Sequence, residues 1–190
     1  MDKELIKKAC SPAGAATLNK KLQASMPSSV RAHLEATTPS NFLRQHNKDV
    51  GAALVNQGYT PGALMCRSDL PTLEHVGAVY GDAAAVAWLM VQIDSIDVLQ
   101  GNATFSDAQR RDTAQLIFAK YKKLPVCCLL IFFTQYKLGE FTEEVKHVGG
   151  IEKLLVALRL FAMRANDEMN KIFYYSELER ERKVRYGENT

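Results

Sequence analysis

Two carboxylates, Asp94 and Asp97, lie three residues apart in a segment with helical periodicity, so both side chains share one side of a helix. Together with Asp82 or His75 they could hold a metal ion for a hydrolytic reaction. The E-x-x-H and H-E-x-x-H patterns, which place metal ligands one helical turn apart, do not accompany this pair on its helix. We therefore favour a solvated helix edge over a metal-dependent hydrolase, and we expect no metal and no cofactor.

The nucleophilic and imidazole side chains are dispersed along the chain. Two of the four cysteines are adjacent in an apolar run, where thiols usually act as small hydrophobic groups, and no C-x-x-C pair occurs. The histidines are His33, His46, His75 and His147, which fall on separate predicted elements. Catalysis by a cysteine–histidine pair would therefore require the fold to bring together residues from distant parts of the chain. We predict that the protein is not an enzyme and has no catalytic residues.

The C-terminal end carries the best candidates for a contact surface, because aromatic and arginine side chains there could anchor a partner protein or stack on bases. The candidate partner-binding residues are Phe173, Tyr174, Tyr175, Arg180, Arg182, Lys183 and Arg185. Four glutamates of this region, Glu177, Glu179, Glu181 and Glu188, offset the four cations. The charge balance favours helix pairing over phosphate binding, and a merely solubilising end is the remaining interpretation. The same helix could also form a homodimer.

Direct nucleic-acid binding is the alternative function. Residues 1–66 hold eight basic and four acidic side chains, whereas residues 67–100 hold one basic and five acidic ones. The candidate phosphate-binding residues are Lys3, Lys7, Lys8, Lys20, Lys21, Arg31 and Arg44. Over the whole chain the formal net charge is only +3, which by itself indicates neither a nucleic-acid nor a membrane partner.

Helical periodicity dominates the chain from residue 67 onward. A short helix before Gly81 leads to a longer one over 82–99, where Val86, Leu89, Ile93 and Ile96 form an apolar stripe. Further helices are predicted from Ser106 to about Lys123, from Pro125 to about Gly139, and from about Ile151 onward. No alternation typical of strands is present.

The predicted fold is therefore all-α: a compact bundle of four to six helices with a partly irregular N-terminal arm and a long C-terminal helix. Glycine and proline concentrate in residues 1–66, which we assign to a basic arm with short helices: one over 28–36 and another that starts at Ser40, before an Ala-rich piece at 51–56. Residues 67–190 form the helical bundle domain. The sharpest local signal is Ser106 with Gln109, a capping box that starts a helix.

The longest apolar run, residues 124–133, is about half the length that spans a bilayer, so we predict a buried helix and no membrane partner. The first ten residues carry charge without the apolar stretch of a secretory signal. We expect the protein to be cytoplasmic.

The order of motifs resembles an uncharacterised protein family carried by phages and integrated mobile elements of Bacteroidetes. The resemblance covers about residues 67–165 and rests on Leu70-Pro71-Thr72-Leu73, Val86-Ala87-Trp88-Leu89, Asp107-Ala108-Gln109 and Phe132 to Gly139. It implies an all-helical product of a replication or maintenance region. Gly139 is usually followed in that family by a basic, aromatic loop, whereas this chain has Glu140-Phe141-Thr142-Glu143-Glu144-Val145. Phosphate binding through this loop is therefore not expected.

Together these observations predict a non-enzymatic accessory protein of a phage or mobile element. It would act through protein–protein contacts, in DNA replication or in contacts with host proteins.

Overall fold

The computed structural model describes residues 12–47, 56–100 and 105–186. Within them the only regular secondary structure is helical, which confirms the all-α prediction. The nine helices are α1 (Pro12–Ser25), α2 (Ser28–Glu35), α3 (Pro39–Asn47), α4 (Pro61–Met65), α5 (Leu73–Tyr80), α6 (Asp82–Gln100), α7 (Asp107–Tyr121), α8 (Val126–Lys137) and α9 (Gly150–Tyr186).

Helix α8 lies at the centre of the molecule. Its first eight residues, 126–133, are all buried, which confirms the buried helix predicted from the apolar run. Phe132 contacts other aromatic rings in this core. Its ring centroid lies 5.2, 5.8 and 5.5 Å from the ring centroids of Phe133, Phe141 and Phe161. These contacts join α8 to the loop before α9 and to α9 itself.

The starts of α5 and α8 are held together through their backbones. The N–H of Glu74 donates to the carbonyl of Lys122 (2.8 Å), and the N–H of Val126 donates to the carbonyl of Pro71 (2.9 Å). Pro125 stands at the N-cap of α8, one residue before the position in the first turn that we predicted. The missing N–H of proline costs nothing at either position, since neither N–H would have a partner within the helix.

Capping boxes set the first residues of two helices. Ser106 and Gln109 form the predicted box at α7: the Ser106 Oγ accepts from the Gln109 N–H, and the Gln109 Oε1 accepts from the Ser106 N–H. Thr72 and His75 form a second box at α5. Sequence inspection missed it because the reciprocal acceptor is an imidazole rather than the usual Glu or Gln.

Helices α1 to α4 pack on the bundle formed by α5 to α9. Val30, Leu34, Phe42 and Leu64 are buried in the same hydrophobic cluster as the bundle residues. The Tyr80 hydroxyl of α5 donates to the carbonyl of Leu34, at the end of α2. The described helices of the N-terminal region therefore share the main core. Most of the predicted Ala-rich piece at 51–56 lies outside the described residues.

Candidate partner-binding surface

Helix α9 has 37 residues, and only its first part contributes to the core. The buried side chains Leu154, Leu158, Phe161 and Ala165 follow one another at intervals of three or four residues, the spacing of a single helical face. No described residue after Ala165 is buried. The apolar stripe that attaches α9 to the bundle therefore ends at Ala165.

A close contact with α4 fixes the point where α9 leaves the bundle. The Glu168 carboxylate accepts a hydrogen bond from the backbone N–H of Gly62, at 2.9 Å. A Cβ atom on Gly62 would lie 2.6 Å from the Glu168 Cβ, so the two helices approach too closely for any other residue at position 62. The distal part of α9 thus begins from an anchored position.

We call residues 171–186 the terminal segment. All sixteen are exposed and helical. At 1.5 Å per residue the segment is about 24 Å long. It contains all seven predicted partner-binding residues: Phe173, Tyr174, Tyr175, Arg180, Arg182, Lys183 and Arg185. The solvated helical extension predicted from the sequence is present.

Aromatic side chains surround the start of the terminal segment. Phe173, Tyr174 and Tyr175 are 52, 61 and 66% exposed. Because consecutive helical residues are about 100° apart, these three and Ile172 point to all sides of the helix. The Tyr174 and Tyr175 rings make an edge-type contact with centroids 5.7 Å apart. Clustered exposed apolar side chains are typical of interaction surfaces.

Four further exposed apolar residues of this segment were missed: Ile172, Leu178, Val184 and Tyr186. For Ile172 and Tyr186, the signal that could have found them is the continuation of helical periodicity beyond the core stripe, since both share one face with Tyr175 and Arg182. The surface is consequently longer than the aromatic cluster alone.

Few charged side chains of the terminal segment form ion pairs with one another. Arg180 pairs with Glu177 at 2.7 Å. Glu179 with Lys183 and Glu181 with Arg185 have the i, i+4 spacing of helical ion pairs, but neither pair is formed among these described residues. Exposed pairs of this kind gain little over hydration, so the side chains are available to another molecule.

The acidic loop that departs from the family pattern packs against α9. Phe141 and Val145 are buried, and Glu144 forms an ion pair with Arg164 at 2.6 Å. The Arg164 guanidinium lies 5.7 Å from the Phe141 ring centroid and holds the pKa of Glu144 below its usual value, chiefly by hydrogen bonding. This loop therefore packs against α9 and offers no cation for phosphate binding.

The candidate nucleic-acid residues are in three situations. Lys3, Lys7 and Lys8 lie outside the described residues. Lys20, Lys21 and Arg44 are exposed on α1 and α3. Arg31 donates to the carbonyl of Gln23 and lies 3.9 Å from Glu35, so its charge is partly neutralised.

The residues considered for metal binding have structural partners. Asp94 lies 3.4 Å from the Arg110 guanidinium, and His75 belongs to the α5 capping box. Burial lowers the pKa of His75, with Glu74 opposing the shift. The side chain of Asp97 lies outside the described part. In the described ranges no group of three His, Cys, Asp or Glu side chains is placed to hold a metal ion.

An open groove of about 500 Å³ lies between α6 and α7. Its floor is apolar and includes Val86, Met90 and Phe118, and its polar lining residues are Asp82, Arg111 and Gln115. Asp82 and Arg111 are exposed. The groove therefore lacks the convergent buried polar groups that orient a small ligand.

No protein-family model, curated protein or solved structure matches the chain. Within the described ranges no helix is both long and apolar enough to cross a membrane.

Proposed function

We propose that this chain is a non-enzymatic interaction protein that contacts its partner through the terminal segment of α9. The observation that carries the proposal is a run of sixteen exposed helical residues that displays an aromatic cluster beyond the last core contact. Aromatic and arginine side chains dominate the binding energy of protein interfaces, and this segment is rich in both.

The partners of the other candidate groups support a non-enzymatic role. Asp94 is paired with Arg110 and His75 caps a helix, so neither is poised for acid–base or metal chemistry. In this proposal the protein is an accessory factor of a phage or mobile element, acting in DNA replication or on host proteins. The support for that origin is the resemblance in residue order between Leu70 and Gly139.

Affinity capture from host lysate, with and without nuclease, tests the proposal. The test variant replaces Phe173, Tyr174 and Tyr175 by Gln, a good helix former, and so removes the aromatic cluster without disturbing the core. The control variant replaces Leu116 and Leu138 by Gln; these are apolar residues elsewhere, 58 and 73% exposed.

We expect the intact chain and the control to retain the same nuclease-resistant partner and the aromatic variant to lose it. Equal retention by all three proteins would refute a role for the terminal segment. Capture of nothing beyond background would exclude a host protein as the partner, and it would refute the interaction function if the chain also fails to bind a second copy of itself.

The alternative is direct nucleic-acid binding, favoured by the exposure of Lys20, Lys21 and Arg44. It is the weaker proposal because Arg31 is already engaged within the protein and glutamates offset part of the positive charge of the terminal segment. Recovery of only nuclease-sensitive material in the same experiment would favour it.

A further inference from the structure

The order of charges along the terminal segment suits a copy of itself running in the opposite direction. From Glu177 onward the first charges are Glu177, Glu179 and Glu181, with Arg180 before the last of them, and the cations Arg182, Lys183 and Arg185 follow. Two parallel segments in register would place like charges side by side. Two antiparallel segments bring the acidic half of each against the basic half of the other.

One face of the helix makes this complementarity specific. Tyr175, Glu179, Arg182 and Tyr186 recur at intervals of four, three and four residues, the spacing of a coiled-coil seam. With a two-fold axis between residues 180 and 181, Glu179 faces Arg182 of the second copy and Tyr175 faces Tyr186. Symmetry forms each of these contacts twice.

Two other faces of the helix do not pair as well. The face through Phe173, Arg180 and Lys183 would oppose cations to cations, and the face through Glu177, Glu181 and Val184 would oppose carboxylates to carboxylates. Like charges placed directly opposite one another disfavour association. Charge therefore favours the seam through Glu179 and Arg182 over these two faces.

Resting on the proposed function, we infer that the partner of the terminal segment is a second copy of this chain, paired antiparallel through Tyr175, Glu179, Arg182 and Tyr186. With this axis the described helices overlap over residues 175–186, about 18 Å, which is smaller than a standard stable interface, so the dimer should be weak, with a dissociation constant on the order of 10–100 µM. Its strength should fall as salt increases, because exposed ion pairs contribute to it.

The test is the mass of the full chain measured by sedimentation equilibrium between 1 and about 500 µM. The wild type should change from monomer to dimer over this range. Glu179→Arg places two cations opposite each other at both symmetry-related contacts between positions 179 and 182, and Arg182→Glu places two carboxylates there. Each variant alone should therefore dimerise at least about tenfold more weakly. An equimolar mixture of the two should recover dimers, and so should the double variant E179R/R182E.

These substitutions lie on the exposed part of α9 and leave the folded core untouched. Replacing Leu138 by Gln serves as the matched surface control and should dimerise like the wild type. A wild type that is monomeric at the highest concentration would overturn the inference, as would single variants that dimerise normally. If the monomeric chain still captures a host protein through its aromatic cluster, the proposed function stands and only the identity of the partner is wrong.

Discussion

Gly62→Ala should weaken the attachment of α4 to α9. The added Cβ would lie 2.6 Å from the Glu168 Cβ and 2.7 Å from its Cγ and Oε2. Carbon atoms normally pack at about 3.5–4.0 Å, so the two helices must separate by about 1 Å. That movement also stretches the 2.9 Å hydrogen bond from the Gly62 N–H to the Glu168 carboxylate.

The cost follows from these two effects. Overpacking costs about 1–3 kcal/mol, and a hydrogen bond to a charged group contributes about 1.5–3 kcal/mol. Alanine restricts the unfolded chain and returns about 0.4–1 kcal/mol. Because relaxation preserves part of the hydrogen bond, we expect a net loss of about 2 kcal/mol. In a chain of this size that loss lowers the melting temperature by about 4–8 °C.

Thermal and urea unfolding followed by circular dichroism measure this loss. Gly149→Ala is the matched control, since its added Cβ has no atom within 4 Å, and it should not lower stability but keep the gain of about 0.4–1 kcal/mol from the restricted unfolded chain. Glu168→Ala combined with Gly62→Ala should recover little, because the Cβ that makes the closest approach remains. A Gly62→Ala variant that melts within about 1 °C of the wild type would refute the described packing.

Three further predictions concern the core, the α5 cap and the alternative function. Phe132→Ala should cost about 3–5 kcal/mol in urea unfolding, whereas Phe173→Ala should cost less than about 0.5 kcal/mol; similar losses would show that the exposed end also packs. The pKa of His75 is lowered in the folded state, so the unfolded state binds the proton more readily and stability should be lost as pH falls below the ordinary histidine value toward the folded-state pKa. His75→Gln keeps an acceptor for the Thr72 N–H and should flatten the dependence of stability on pH between pH 7 and 5. An unchanged pH dependence would exclude His75 as its cause. If nucleic acid is the partner, DNA affinity measured by filter binding should fall steeply as salt increases. Glutamine substitutions at the exposed cations Lys20, Lys21 and Arg44 should lower both the affinity and its dependence on salt. Unaltered binding would show that these side chains are not in the interface.

Local signals predicted most of the helices, because each depends on residues close together in the chain. Ser106 and Gln109 start α7 as expected, and Gly81, with a φ of 92°, separates α5 from α6 where the break was predicted. Helix ends differed by one or two residues, for example at Tyr121 instead of Lys123. Capping and periodicity determine that a helix exists more strongly than they determine its last turn.

Contacts between distant residues could not be predicted in the same way. Gly62 and Glu168 are 106 residues apart, and nothing in either local sequence identifies the other as its partner. Tyr80 reaches Leu34 across 46 residues, and it was this kind of contact that decided whether the N-terminal helices pack on the bundle. A single sequence shows which residues are present but not which distant residues contact each other.

The terminal segment was predictable in part from its local sequence. Apolar spacing continues after Ala165 only through Met169 and Ile172, and charged residues take over from Glu177 onward. Aromatic residues on a helix with no core to cover need another surface to bury them. Along α9, Glu177, Glu179 and Glu181 precede Arg182, Lys183 and Arg185, so charges that offset one another when counted also have an order. In the antiparallel dimer that we propose, that order, and not the net charge, favours a second copy over an acidic or a basic partner.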